Sequence, residues 1–260
     1  MSALPSLLPR ESHDPADEHE LKLVLEPHGP MAALVDRVDE LAEAFGLGAL
    51  SEIDEVGHID RFSVYHDTRS LDLYRADASL RTRRRRKGMC RVNAKLQNGR
   101  GASHGYVVRR EWRYDLEPDL FEFLEKARFQ PLVEHHFGEL LARRIDAERG
   151  LVPVVQIHKR SRRIELRAAS GERFLLSLDR FRGFDCRGGE IGRSTQELCE
   201  LELEARNGKA SRRLEAIRDR VRSLVGAAPG RPKYSMLLET LGIDSEGRSQ
   251  SSTGSSRWRS

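Results

Sequence analysis

Residues 18–25, EHELKLVL, and residues 198–205, LCELELEA, decide how this chain folds. In each stretch apolar and charged side chains alternate one for one, the signature of a β-strand with two unlike faces. Glu18, Glu20 and Lys22 share one face of the first stretch, and Leu21, Leu23 and Leu25 share the other. In the second, Glu200, Glu202 and Glu204 alternate with Leu201 and Leu203. One such ladder is ordinary dressing for a solvated sheet. Two acidic ladders facing each other would repel unless a hard cation or several basic groups lay between them.

Basic groups continue the same phase. Arg81, Arg83 and Arg85 alternate, and residues 81–100 hold nine basic side chains and no acidic one. Asn93 and Lys95, then Arg109, Glu111 and Arg113, then Lys159 and Arg163, extend the pattern over further strands. Charges spread over many strands need a shared interior. A closed or nearly closed antiparallel barrel of eight strands supplies one, wide enough for a small ligand. Its polarity is then inverted, with leucines outside beneath helices and guanidinium, ammonium and carboxylate groups inside. Such a lining suits a polyphosphate, whose paired oxygens arginine grips bidentately.

The remaining pattern agrees with an α+β chain. Strands are expected at Glu18–Leu25, Ile59–Asp67, Ala78–Arg86, Cys90–Gln97 and Tyr106–Leu116, then at Pro153–Lys159, Arg162–Ala168, Phe174–Asp179 and Leu198–Ala205. Helical spacing runs from Pro30 to Phe45, Asp119 to Ala127, Glu134 to Asp146 and Lys209 to Val225. Residues 1–16, with three prolines, read as a flexible leader, 17–242 as one tunnel domain, and 243–260 as a disordered Ser/Gly/Arg tail.

Composition bounds the function. The chain has 260 residues, 38% hydrophobic and 33% charged, with 45 Lys and Arg against 41 Asp and Glu. That supports one substantial core and allows a nucleic-acid partner without implying it. Three widely spaced cysteines, Cys90, Cys186 and Cys199, fit a reducing, cytoplasmic setting and no disulfide framework. Neither a signal peptide nor a membrane span is expected. No P-loop, dinucleotide-binding or zinc-ligand spacing occurs. His19, His135, His136 and Trp112 read as packing residues, Trp258 as an exposed tail residue, and the cysteines as unreactive.

In order along the chain, these motifs resemble the CYTH superfamily, the triphosphate tunnel metalloenzymes. The ExExK signature is complete at Glu18, Glu20 and Lys22. YHDTRSLDLYRADASLRTR, residues 65–83, resembles the block in which a YxDT strand leads to paired arginines. Lys95 in VNAKL, Arg109 with Glu111, HKRSRR at 158–163, ERFLLSLD at 172–179, CELELE at 199–204 and KYS at 233–235 follow in sequence. Arg113 departs from the pattern, because relatives often carry another acidic residue there.

The resemblance implies a metal-dependent enzyme using Mg²⁺ or Mn²⁺ on a small triphosphate. Glu18, Glu20, Glu202 and Glu204 would hold metal, with Glu200, Asp179 and Glu111 as auxiliary acidic groups. Lys22, Arg81, Arg83, Lys95, Arg109, Lys159, Arg163 and Lys233 would bind phosphate oxygens. Lys22, Arg81, Arg83, Lys95 and Glu111 would serve the chemical step. The look is closest to bacterial inorganic triphosphatases, without the histidine-rich helical domain that often follows. The alternatives are a thiamine- or nucleoside-triphosphatase, a class IV-like adenylate cyclase, or a noncatalytic polyphosphate- or nucleic-acid-binding protein. The oligomeric state, a dimer included, is left open.

Overall fold

A computed structural model describes residues 16–25, 42, 43, 46, 47, 50–84, 88–97, 106–141, 150–225 and 228–243. Nine strands form, β1 Ala16–Leu25, β2 Leu50–Asp67, β3 Ala78–Arg84, β4 Cys90–Gln97, β5 Tyr106–Leu116, β6 Val152–Ala168, β7 Arg173–Asp185, β8 Leu198–Ala205 and the two-residue β9 Ala228–Pro229. Among the described residues the helices are α1 Asp72–Arg75, α2 Pro118–Lys126, α3 Gln130–Leu141, α4 Gly208–Val225 and α5 Lys233–Leu241.

The sheet runs β5-β4-β3-β2-β6-β7-β8-β1, and β1 pairs again with β5, closing eight strands into an antiparallel barrel. Glu18 stands opposite Arg109 on β5, while Glu20 and Lys22 stand opposite Glu204 and Glu202 on β8. The two deciding stretches are therefore neighbours, and their charged faces point the same way. Closure removes the free edges that charged interior strands would otherwise leave.

The apolar core falls into three patches, two outside the barrel wall and a third whose Tyr65, Ile157 and Tyr234 face the interior. Leu21, Leu23, Leu201 and Leu203 pack with Ala210, Leu214 and Ile217 of α4. Leu80, Val92, Ala94 and Tyr114 pack with Phe121, Leu124, Leu132 and Phe137 of α2 and α3. Val155, Ile157 and Phe181 pack with Tyr234, Leu237, Leu238 and Leu241 of α5. Pro118 opens α2, where a missing N–H costs nothing. Gly242 ends α5 at φ 71°, a left-handed cap that a β-carbon would strain.

Several expectations are corrected. The two strands expected around HKRSRR are one continuous strand, β6, because residues 158–163 pair through it with β2 and β7. β2 begins nine residues before Ile59, and β7 continues past Asp179 to Asp185. Neither α1 nor α5 is marked by the sequence pattern. Most of the expected Pro30–Phe45 helix, residues 1–15, 85–87 and 98–105, and the tail beyond Ile243 with Trp258 lie outside the described residues. Cys199 is buried in the first apolar patch, facing away from Glu200, and the three cysteines are unpaired. Trp112 packs outside the barrel against His136 and Phe137. Among the described residues no helix is long and apolar enough to cross a membrane.

Candidate active site

Alternation sends every second side chain of the eight strands inward, and they enclose a cavity of about 210 Å³. Eight arginines, four lysines and five glutamates line it. All the residues expected to bind metal or phosphate are in that lining except Glu200 and Asp179, which are fully buried beneath it. Asp179 is therefore not the end of a surface strand; it lies mid-strand in β7 between two lysines.

The charges sort into two groups. In one, Lys95 binds Glu18 and stands 3.5 Å from Glu111, while Arg109 binds Glu20 and stands 3.7 Å from Glu18. Asn93 Nδ2 and Arg113 Nη2 donate to Glu111 at 2.7 and 2.8 Å. In the other, Lys22 binds Glu202 and lies 3.0 Å from Glu20 and 3.9 Å from Glu200. Lys159 Nζ donates to Asp179 at 2.6 Å. Lys233 Nζ, from the first turn of α5, reaches Glu200, Glu202 at 2.6 Å and Asp179 at 2.9 Å.

Burial and charge compete at each acid. Burial pushes the Glu18 carboxyl up, but Lys95 and Arg109 outweigh it and hold the group at about 2. Lys22 and Lys233 likewise overcome burial at Glu202 and hold it well below its ordinary range. At Glu200 burial wins over the two lysines and the carboxyl is raised. Glu204 is raised by burial and by the Glu18 charge, with Arg206, 2.6 Å away, opposing. On the basic side, burial lowers Lys159 against the pull of Asp179.

These values carry a sign. A carboxyl at about 2 when folded and near 4.5 when unfolded contributes stability above pH 4.5, and that stability is lost as the pH falls toward 2. Urea midpoints at pH 5 and pH 3 should therefore fall more steeply for the wild type than for Glu18→Gln. Equal falls would remove Glu18 from the acid response.

The donor set fits a hard divalent cation. The available ligands are carboxylate oxygens, which such ions prefer. The upward push on Glu204 from Glu18 is the repulsion that a cation near both would relieve. A second acidic set, Asp179, Glu200 and Glu202, has oxygens within 4.8 Å of one another, but Lys233 Nζ stands among them as the counter-charge. Glu18 and Glu20 are likewise bound by Lys95 and Arg109, so both acidic sets carry counter-charges of their own. Among the described residues no histidine lines the cavity: His66 bonds Thr82 and is lowered to about 4 by burial, and His136 bonds Tyr114 outside the wall.

Among the described residues of the basic run, Arg84 is exposed and the other four turn inward. Arg81, Arg83, Arg91 and Lys95 all line the cavity, and the guanidinium of Arg81 lies 6.0 Å from the Tyr65 ring centroid. Arg163 Nε meets Ser177 Oγ at 3.4 Å. Arg113, the departure from the expected pattern, lines the cavity and bonds Glu111. Sequence reasoning missed Arg61 and Ser63, which share the phase of Tyr65, and Arg206, which continues the ladder of Glu200, Glu202 and Glu204 by one more step. The period of two was the available signal in both cases.

A model of the CYTH domain matches residues 37–228, a span that leaves β1 and α5 outside it. No curated protein matches the chain. Among solved structures, HpAC1 from Hippeastrum, an adenylyl cyclase candidate with a dominant triphosphatase activity, aligns with a TM-score of 0.51. It is 18% identical, over 85% of this chain and 95% of its own. An adenylate cyclase candidate from Bacillus halodurans gives 0.46 at 15% identity, over 84% and 95%. The PH1819 protein of Pyrococcus horikoshii OT3 gives 0.44 at 18%, over 88% and 99%. At 18% identity the Hippeastrum likeness shows the fold alone.

Proposed function

The chain belongs to the CYTH domain family, and on that premise we propose that it hydrolyses inorganic triphosphate to diphosphate and orthophosphate with Mg²⁺ or Mn²⁺. The observation that carries this reading is the cavity lining, in which twelve cationic side chains outnumber five glutamates within a closed wall. A compact, highly charged anion satisfies that excess, and low-dielectric walls strengthen each contact. Among the described residues, apart from the Tyr65 and Tyr234 rings, the apolar lining is Ile157, Leu175 and Pro232. That is little surface for a nucleobase or thiamine ring and favours a substrate made of phosphate alone.

In this reading Lys22, Arg81, Arg83, Lys95, Arg109, Lys159, Arg163 and Lys233 hold the phosphate chain. Glu18, Glu20, Glu202 and Glu204 would hold the cation, which would neutralise charge on the phosphate oxygens. Water attacks the terminal phosphorus: one P–O bond forms to the water oxygen, the bond to the bridging oxygen breaks, and the proton that the water loses passes to the departing phosphate oxygen. The bridging electron pair leaves with diphosphate. Lys22, Lys95, Arg81 and Arg83 stabilise the charge that develops on that leaving group. Glu111, bonded by Asn93 and Arg113, holds Lys95 in place and accepts hydrogen bonds rather than attacking.

The test is phosphate release from inorganic triphosphate, ATP and thiamine triphosphate, with and without Mg²⁺ or Mn²⁺, with cyclic AMP monitored for ATP. Metal-dependent release that is fastest from inorganic triphosphate is expected. Cyclic AMP without orthophosphate would replace the hydrolase with a cyclase, and no turnover of any of the three would overturn the proposal.

A further inference from the structure

β1 and β2 stand on opposite walls of the barrel, four strands apart in either direction around the ring. The segment from Ala228 to Tyr234 is bound to both. At one end Pro229 and Ala228 pair with Leu23 and Val24 of β1, and Gly230 N donates to Lys22 O at 2.8 Å. The approach is so close that a β-carbon on Gly230 would lie 2.6 Å from Lys22 Cβ and 2.8 Å from its carbonyl carbon. At the other end Tyr234 Oη donates to Asp67 Oδ2 of β2 at 2.9 Å, and its ring stacks on Tyr65 with centroids 4.9 Å apart.

Asp67 is built to hold that bond. It has no exposed surface, and it also accepts from the backbone N–H groups of Thr68, Leu73 and Tyr74 at 2.7, 2.9 and 3.0 Å. Those bonds tie the aspartate to the β2–α1 turn, so Tyr234 docks on a rigid acceptor. Between the two anchors the chain passes Pro232 and turns into α5 at Lys233, whose ammonium enters the Asp179, Glu200 and Glu202 set.

We propose that Asp67 and Gly230 are positioning residues for Lys233, pinning residues 228–234 as a strap across one end of the barrel and so keeping the ammonium among carboxylates that would otherwise repel a phosphate chain. The inference rests on the triphosphate reading for its substrate and on the two anchors for its mechanism. Glu200 Oε1 and Asp179 Oδ1 are already buried without a hydrogen-bond partner, and withdrawing the ammonium leaves Asp179, Glu200 and Glu202 with only Lys159 and Lys22 against them. Tyr234→Phe removes the bond to Asp67 while keeping the stacked ring, and Gly230→Ala loosens the opposite anchor.

The experiment combines amide hydrogen exchange over residues 235–241 with inorganic triphosphate binding by calorimetry and with steady-state kinetics in Mg²⁺. Tyr234→Phe is expected to exchange faster in α5 only, to bind triphosphate at least fivefold more weakly, and to raise KM by a similar factor while kcat stays within about twofold. Gly230→Ala should do the same from the other anchor. The double variant Asp67→Asn/Tyr234→Phe should be no worse than its worse single, because both act through one bond. Unchanged exchange in α5, unchanged triphosphate affinity, or additive losses in the double variant would each overturn the strap. If the wild type binds triphosphate but releases no phosphate, the hydrolase reading fails, while exchange and calorimetry still decide the strap.

Discussion

Glu18→Ala is expected to lower kcat for inorganic triphosphate by at least about 100-fold, the scale of losing one preorganised electrostatic partner in a water-excluded site, while leaving the barrel folded. Glu18 is held ionised by Lys95 and Arg109, so it is a charged oxygen donor at any working pH. Its other effect is on Glu204, which it pushes toward the neutral form. A cation beside both acids removes that conflict, so deleting Glu18 should weaken metal binding and turnover together. The fold should survive because Lys95 keeps Glu111, 3.5 Å away, and Arg109 keeps Glu20. The check is kcat over a Mg²⁺ titration, with circular dichroism for the fold. A half-saturating Mg²⁺ concentration that rises in Glu18→Ala supports the metal role. Unchanged turnover in the double variant Glu18→Ala/Glu20→Ala would remove these glutamates from metal binding.

The same alternation that placed Glu18 made most of the fold legible. Leu21, Leu23, Leu201 and Leu203 read as outer-wall residues from spacing alone, and they are buried under α4. The limits came from one physical cause. In ordinary sheets a polar run marks a turn, so Arg160 and Ser161 read as a break between two strands; in a barrel with a charged interior they are the middle of one. Asp179 read as an auxiliary acidic group at a strand end; it lies mid-strand, where two lysines compensate its full burial. Arg61 and Arg206 sit in phase with recognised residues, but nothing in one strand tells how far along the barrel the lining extends. The Asp67–Tyr234 bond joins residues 167 positions apart, one in the YxDT block and one in KYS, and nothing in either motif says that they pair.

Lys22 is where the inverted architecture should cost most to disturb. Its side chain is 2% exposed and lies against Glu202, Glu20 and Glu200, three carboxylates that nearby β1 and β8 backbone pairing cannot move apart. Lys22→Met keeps the length of the side chain and removes only the charge. Breaking a buried ion pair from one side leaves the partner uncompensated, which costs about 3–5 kcal/mol. The urea midpoint at pH 7 should drop accordingly with the slope unchanged. Lys22 holds Glu202 well below its ordinary range, so without the lysine that carboxyl rises and takes up a proton at higher pH. The deficit of Lys22→Met should therefore narrow as the pH is lowered, and Lys22→Met/Glu202→Gln should recover part of it at pH 7. A loss below about 1 kcal/mol, the value of an exposed pair, would mean that water enters the barrel freely enough to solvate these acids. The cavity would then be a wet channel, and the electrostatic grip argued for triphosphate would weaken with it.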